Sequence, residues 1–153
     1  MRIAFHSVSL LAATLFIAAE AGGADVTVLN GDVDLTISSA TAGQEPAAAS
    51  SEACQLQWTT LVADATKKIT AQSNNATPSF ALKLSAVNVS AGDGTPAGQV
   101  TLSTTAEDLV VDIPAGVLVS NPGTCTLHYQ ASATAANGTG SDAHTITFTI
   151  VDQ

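Results

Sequence analysis

Arginine is nearly absent from this chain, cysteine occurs twice, and aromatic side chains are few. Each shortage excludes something. The only strong cations beyond Arg2 are Lys67, Lys68 and Lys83, against 13 Asp and Glu, for a formal net charge of −9. A nucleic-acid binder needs a basic face to neutralise phosphates, and none can be assembled from three lysines. Two-point recognition of carboxylate or phosphate normally falls to Arg. The aromatic set beyond residue 24 is Trp58, Phe80, Tyr129 and Phe148. A core must therefore come mainly from Val, Leu, Ile and Ala. Long apolar runs are also missing, apart from one near the start, LLAATLFIAA over residues 10–19.

That run reads as the centre of a signal peptide. A short, weakly positive MR precedes it, and Ala19-Glu20-Ala21 follows as a small-residue cleavage site. A second candidate site, Gly22-Gly23-Ala24, would leave Asp25 first. A membrane anchor is the rival, but the run is short for a spanning helix. The expectation is a leader over residues 1–21, cleaved as late as 24, and one domain over 22–153, with no leader retained in its fold. No membrane span is expected after cleavage, and the product would be secreted, periplasmic or held at the cell surface. Removing Arg2 and Glu20 takes away one charge of each sign, so the net charge stays at −9.

What is abundant beyond the leader is alternation. Val26 and Val28 alternate, then Asn30-Gly31 intervenes, and Val33, Leu35 and Ile37 continue on the opposite parity. That change needs a two-residue hairpin or a bulge at Asn30-Gly31. Residues 42–53 read as an exposed connection. Strands follow in CQLQWTTL and in ATKKITAQ, the latter with Lys67 facing out. Phe80, Leu82 and Leu84 alternate, AGDGTPAG (91–98) is a loop, and Val100 and Leu102 point inward. Thr104 to Asp108 could start one helical turn, since a hydroxyl precedes acids three residues on. LVVDI, the row from Cys125 to Ala133, and Ile146, Phe148 and Ile150 complete the series. About seven to nine short antiparallel strands between turns predict an all-β, immunoglobulin-like β-sandwich, with a barrel as the alternative.

The two cysteines open matching segments, CQLQW at 54–58 and CTLHY at 125–129. Two cysteines in an exported chain are expected to pair. A Cys54–Cys125 disulfide would close a loop of some 70 residues and restrict the unfolded chain by roughly 4 kcal/mol. Alternation puts Cys54, Leu56 and Trp58 in one inward row and Cys125, Leu127 and Tyr129 in another. If the strands run the same way, Trp58 and Tyr129 meet; if they are antiparallel neighbours, the aromatics diverge. The Trp and Tyr positions depart from the antibody-domain pattern. No C-x-x-C spacing and no neighbouring cation point to a reactive thiol.

Nothing else gathers into catalytic chemistry. His128 and His144 have no G-x-S-x-G elbow to serve and no zinc-ligand spacing, so both read as surface or edge residues. Acids cluster at Asp32 and Asp34, at Glu107, Asp108 and Asp112, and singly at Asp93. Loop oxygens of this kind can hold Ca²⁺, yet the EF-hand spacing is absent and Asp32 and Asp34 read as a solvated face. No cofactor, metal or catalytic residue is assigned. Asn75, Asn88 and Asn137 begin glycosylation sequons, which matter only in a eukaryotic source.

ATKKITAQ, VTLSTTAEDLV and the closing SATAANGTGSDAHTITFTIVD resemble a type of small exported bacterial protein without a known activity. DATKK followed later by STTA also looks like the subunits of fimbriae assembled by the chaperone–usher route. That likeness implies an incomplete immunoglobulin-like sandwich and self-association, residues 25–37 completing a neighbour's sheet. The expectation is a non-enzymatic structural or surface-adhesion protein, a fimbria-like subunit being one form. The alternative is a monomeric module that binds a glycan or Ca²⁺ with loops 91–98, 114–123 and 137–142.

Overall fold

The computed structural model describes residues 8–10, 23–38, 44–137 and 140–153. Among them the protein is all-β. The strands are β1 (Val8–Leu10), β2 (Asp25–Leu29), β3 (Val33–Leu35), β4 (Ala49–Thr59), β5 (Lys67–Ser73), β6 (Ala81–Val87), β7 (Thr95–Pro96), β8 (Val100–Thr101), β9 (Glu107–Ile113), β10 (Gly123–Ser132) and β11 (Ile146–Asp152). One short 3-10 turn covers Ala135–Asn137. Two antiparallel sheets form a sandwich, ordered β2-β4-β10-β6-β8 and β11-β5-β9-β7. The count exceeds the expected one because β7 and β8 are two-residue edge strands and because β1, in the segment read above as a leader outside the fold, pairs with β3.

The alternation works as read. Cys54, Leu56 and Trp58 from β4 are buried, as are Cys125, Leu127, Tyr129 and Ala131 from β10. Ile69 and Ala71 of β5, Ile113 of β9, and Ile146, Phe148 and Ile150 of β11 face them from the other sheet. Two bulges in β9 change its phase. One lies between the Ile69–Val110 and Lys67–Ile113 pairs, the other between Ile69–Val110 and Thr70–Asp108. Extra residues on one strand bend it and re-aim its side chains. That is how the successive residues Leu109 and Val110 are both buried. Asp112, at the first bulge, has φ 55°, and its backbone N–H donates to Gln153 Oε1 at 2.7 Å.

Four details differ from the sequence reading. Val26 and Val33 lie on opposite parities through a kink and not a hairpin, since β2 pairs with β4 and β3 with β1. Asn30 supplies the kink with φ 56°, a conformation Asn tolerates better than most residues. The stretch read as a connection is partly strand: β4 starts at Ala49, because the ten-residue β10 takes Ala49, Ser50 and Ser51 as partners of Ala131, Gln130 and Tyr129. Glu107 opens β9, so no helical turn forms between Thr104 and Asp108. Lys67 sits on the buried row of β5 with Ile69, Ala71 and Ser73. Its ammonium reaches Asp152 Oδ1 at 2.6 Å and Asp64 Oδ1 at 3.9 Å, so the charge is neutralised where the stem is covered.

Candidate functional site

The expected disulfide is absent: Cys54 and Cys125 are both free, buried thiols. The register explains why. β4 and β10 are antiparallel neighbours, with Cys54 opposite Leu127 and Cys125 opposite Leu56. The cysteines share a face but stand diagonally, where backbones are roughly 7–8 Å apart, beyond the usual disulfide range. Burial raises the Cys54 thiol pKa, with a further push from Asp32, and takes Cys125 to about 12. Neither is poised as a nucleophile. Burial, with the two thiols alongside, also raises the Tyr129 phenol.

The antiparallel register sends the two large aromatics apart. Trp58 stands opposite Gly123, and Tyr129 opposite Ser51. The Trp58 indole lies against Gly123, where a Cβ would run into its Nε1 and Cε2 atoms. Its Nε1–H donates to the Asp93 carbonyl at 3.1 Å. Asp93 in turn accepts from the Ser90 hydroxyl at 2.6 Å, and Ser90 Oγ accepts from the Thr124 N–H at 2.9 Å. Loop 91–98 is thus fastened from below. Loop 114–121 joins it around a cleft of about 170 Å³ lined by Asp93, Pro114, Gly116, Leu118 and Asn121.

Of loop 137–142, expected beside those two, residues 138 and 139 lie outside the described residues, and Asp142 belongs to the opposite end. Asp142 Oδ2 accepts the Ser79 and Phe80 N–H groups, at 2.6 and 3.0 Å, where β6 begins. Loop 91–98 follows the other end of that strand. The three proposed binding loops therefore do not converge.

The Asp142 end also holds the constellation closest to a triad. His144, read as a surface or edge residue, is 2% exposed. Its Nδ1 is 2.9 Å from Ser73 Oγ, which also accepts the Asn75 N–H at 3.1 Å. Burial lowers the His144 pKa, and Asp142 opposes that. Ser73 is itself 3% exposed, so its hydroxyl faces protein and not a substrate. The arrangement joins the 73–75 turn, the start of β6 and the lead into β11. Asn74 adds reciprocal bonds to Thr145, its N–H to the Thr145 carbonyl at 3.1 Å and its Oδ1 accepting at 2.8 Å.

His128 lies on the outer face, as expected from its parity, with Nδ1 2.7 Å from Glu52 Oε1 across a bulge in β4. Asp32 and Asp34 are exposed on either side of Val33. Asp108 pairs with Lys68 at 2.9 Å, and Asp112 accepts from Gln153 at 3.0 Å. Among the described residues, no three His, Cys, Asp or Glu side chains converge as metal ligands. A larger cleft, about 460 Å³, opens near the His144 end between Pro78, Phe80, Leu82, Leu102 and Ala133, without a charged side chain in its wall. No helix among the described residues is long and apolar enough to cross a membrane. No protein-family model and no curated protein matches the chain.

Proposed function

We propose that the protein is an exported, non-enzymatic, immunoglobulin-like sandwich with a structural or surface-adhesion role, and that it self-associates by strand addition as a fimbria-like subunit. The observation that carries this reading is the position of β1. Among the described strands it pairs with β3 alone, register Val8–Leu35 to Leu10–Val33, and it falls within residues 1–21, read above as a leader. Leader removal would take that strand away and leave the β3 edge open to another chain. Residues 25–29 are at home on β4, so the contact with a neighbour falls to 33–37 and not to the whole of 25–37. The non-enzymatic part is supported by what the reactive groups do. Ser73, His144 and Asp142 are spent on internal hydrogen bonds, and the thiols are buried.

Light scattering on residues 1–153 and on 22–153 tests the reading. The longer chain is expected to be monomeric, and the shorter one to associate as concentration rises. Asp34→Pro, in the middle of β3, should abolish that association, since proline is excluded from paired strands. A strictly monomeric 22–153 would sink it.

One observation favours a second reading, a monomeric binding module: loops 91–98 and 114–121 flank one cleft that presents Asp93. A Ca²⁺-dependent rise in melting temperature, or retention on a glycan array, by a monomeric protein would favour it.

A further inference from the structure

Among the described residues, one strand pairing lies outside the two main sheets, and both of its strands read Val-x-Leu. β1 is Val8-Ser9-Leu10 and β3 is Val33-Asp34-Leu35. They run antiparallel, with Val8 opposite Leu35, Ser9 opposite Asp34 and Leu10 opposite Val33. Val33 and Leu35 are buried, at 4% and 2% exposure, while Asp34 is exposed. Directly opposite residues of an antiparallel pair share a face. A strand on this edge therefore needs apolar residues opposite Leu35 and Val33 and a polar one between them. β1 meets that requirement, and so does β3 itself.

We propose that, once residues 1–21 are removed, this edge of β3 pairs with the same edge of a second copy, antiparallel about a two-fold axis through Asp34. The pairing rests on the strand-addition reading and adds to it the partner strand, its direction and its register. Val33 of one copy stands opposite Leu35 of the other, so both Val–Leu pairs of the β1 register recur. Carried outward, the same register sets Thr36 opposite Asp32 and Ile37 opposite Gly31, where the glycine leaves room for the larger side chain. The kink at Asn30, φ 56°, ends the ladder there. Residues 31–37 of each copy are thereby engaged. A contact made by the same surface on both copies closes at two. A fimbria-like assembly would take a further contact elsewhere on the sandwich.

The one difference between the two Val-x-Leu strands sets the order of preference. Ser9 is uncharged, whereas a second copy brings Asp34 against Asp34, and like charges directly opposite weaken a pair. β1 also belongs to the same chain, which gives it an effective concentration that a dilute second copy does not reach. The intact chain keeps its edge for β1, and a second copy takes the edge after cleavage.

A residue on a two-fold axis faces its own copy, so single cysteines read the register. Directly opposite Cα atoms are about 4.5–5.5 Å apart, within the roughly 4.4–6.8 Å of a disulfide. Two copies of Thr36 would be offset by four residues, about 13 Å. Under mild oxidation, residues 22–153 carrying Asp34→Cys should form a covalent dimer, the native thiols being buried. The same chain carrying Thr36→Cys should not, unless it is mixed with chain carrying Asp32→Cys. Asp34→Cys in residues 1–153 should stay unlinked, because β1 covers the edge. Asp34→Asn should tighten the association of 22–153 about two- to fivefold, by removing the like-charge pair. Association of 22–153 without an Asp34→Cys cross-link would overturn the self-pairing and leave strand addition at another edge standing. A strictly monomeric 22–153 would overturn both. Equal cross-linking by Asp34→Cys and Thr36→Cys, or by the long and short chains, would overturn the self-pairing in favour of chance collision of exposed thiols. Unchanged or weaker association in Asp34→Asn would overturn the meeting of Asp34 with its own copy.

Discussion

The two ends of the sandwich are closed in different ways. At the Trp58 end an indole roofs Gly123 and holds a loop through one carbonyl, while the turns outside it expose aliphatic side chains. At the His144 end a buried imidazole, a buried hydroxyl and a buried carboxylate tie three segments together, and polar turns lie outside. One closure depends on shape and apolar contact, the other on satisfied hydrogen bonds. The first should fail when volume changes, the second when a proton or an acceptor changes.

The largest effect is expected at the first end. Trp58→Ala removes the biggest side chain in the core and should cost about 3–5 kcal/mol in urea unfolding. Gly123→Ala alone forces a methyl into the indole and should cost about 1–3 kcal/mol. In the Trp58→Ala background the same methyl should be nearly free, or stabilising. Additive costs in that cycle would show that the indole does not rest on Gly123.

Next comes the other end. Asp142→Ala leaves the Ser79 and Phe80 N–H groups without their acceptor, one of them buried, and should cost about 1–3 kcal/mol. Asp142→Asn keeps one carbonyl oxygen and should recover part of it. Equal losses for both variants would point to the charge, not the hydrogen bonds.

The two ends should also part on acidification. The folded-state pKa of His144 lies below its unfolded value, because burial disfavours the imidazolium. The unfolded chain thus binds the proton first. The stability that neutral His144 contributes is complete above the unfolded pKa, about 6.5, and is lost as pH falls from there toward the folded value. Asp142 faces the ring and moderates the loss. His144→Gln should flatten that slope of melting temperature against pH, whereas Trp58→Ala should lower the whole curve and leave the slope. An unchanged slope in His144→Gln would break the distinction.

How much of this could be read from the chain follows from how local each feature is. The inward rows Cys54–Leu56–Trp58 and Cys125–Leu127–Tyr129 were legible because the period of a strand is written within five residues. Whether the rows were aligned or opposed was not, since register depends on a partner some 70 residues away. Lys67 looked outward by its charge, and the Asp152 that permits its burial lies 85 positions on. His144 looked peripheral because Ser73 is 71 positions before it. Ala49 to Ala53 read as a connection because Ala and Ser carry little strand preference; the length of β10 recruits them. The candidate loops were visible as turn chemistry, but their gathering was not. Strand direction decides which turns share an end.

The smallest effect separates neither end, and its smallness is the point. Compartment and count argue for a disulfide between Cys54 and Cys125. The ladder puts each opposite a leucine and sets the two on a diagonal. Reducing agent should therefore leave the unfolding midpoint of the protein unchanged. Native protein should take up a thiol reagent slowly, because both thiolates are disfavoured by burial. Unfolding without reductant should expose two thiols per chain. A midpoint that falls with reductant, or a titre of zero, would mean that β4 and β10 slide by two residues to bring the sulfurs together. That slide keeps every side chain on its face, but it would move Gly123 out from under the Trp58 indole. The cross-link and the indole roof are thus competing ways to hold one pair of strands, and the register observed here chooses the roof.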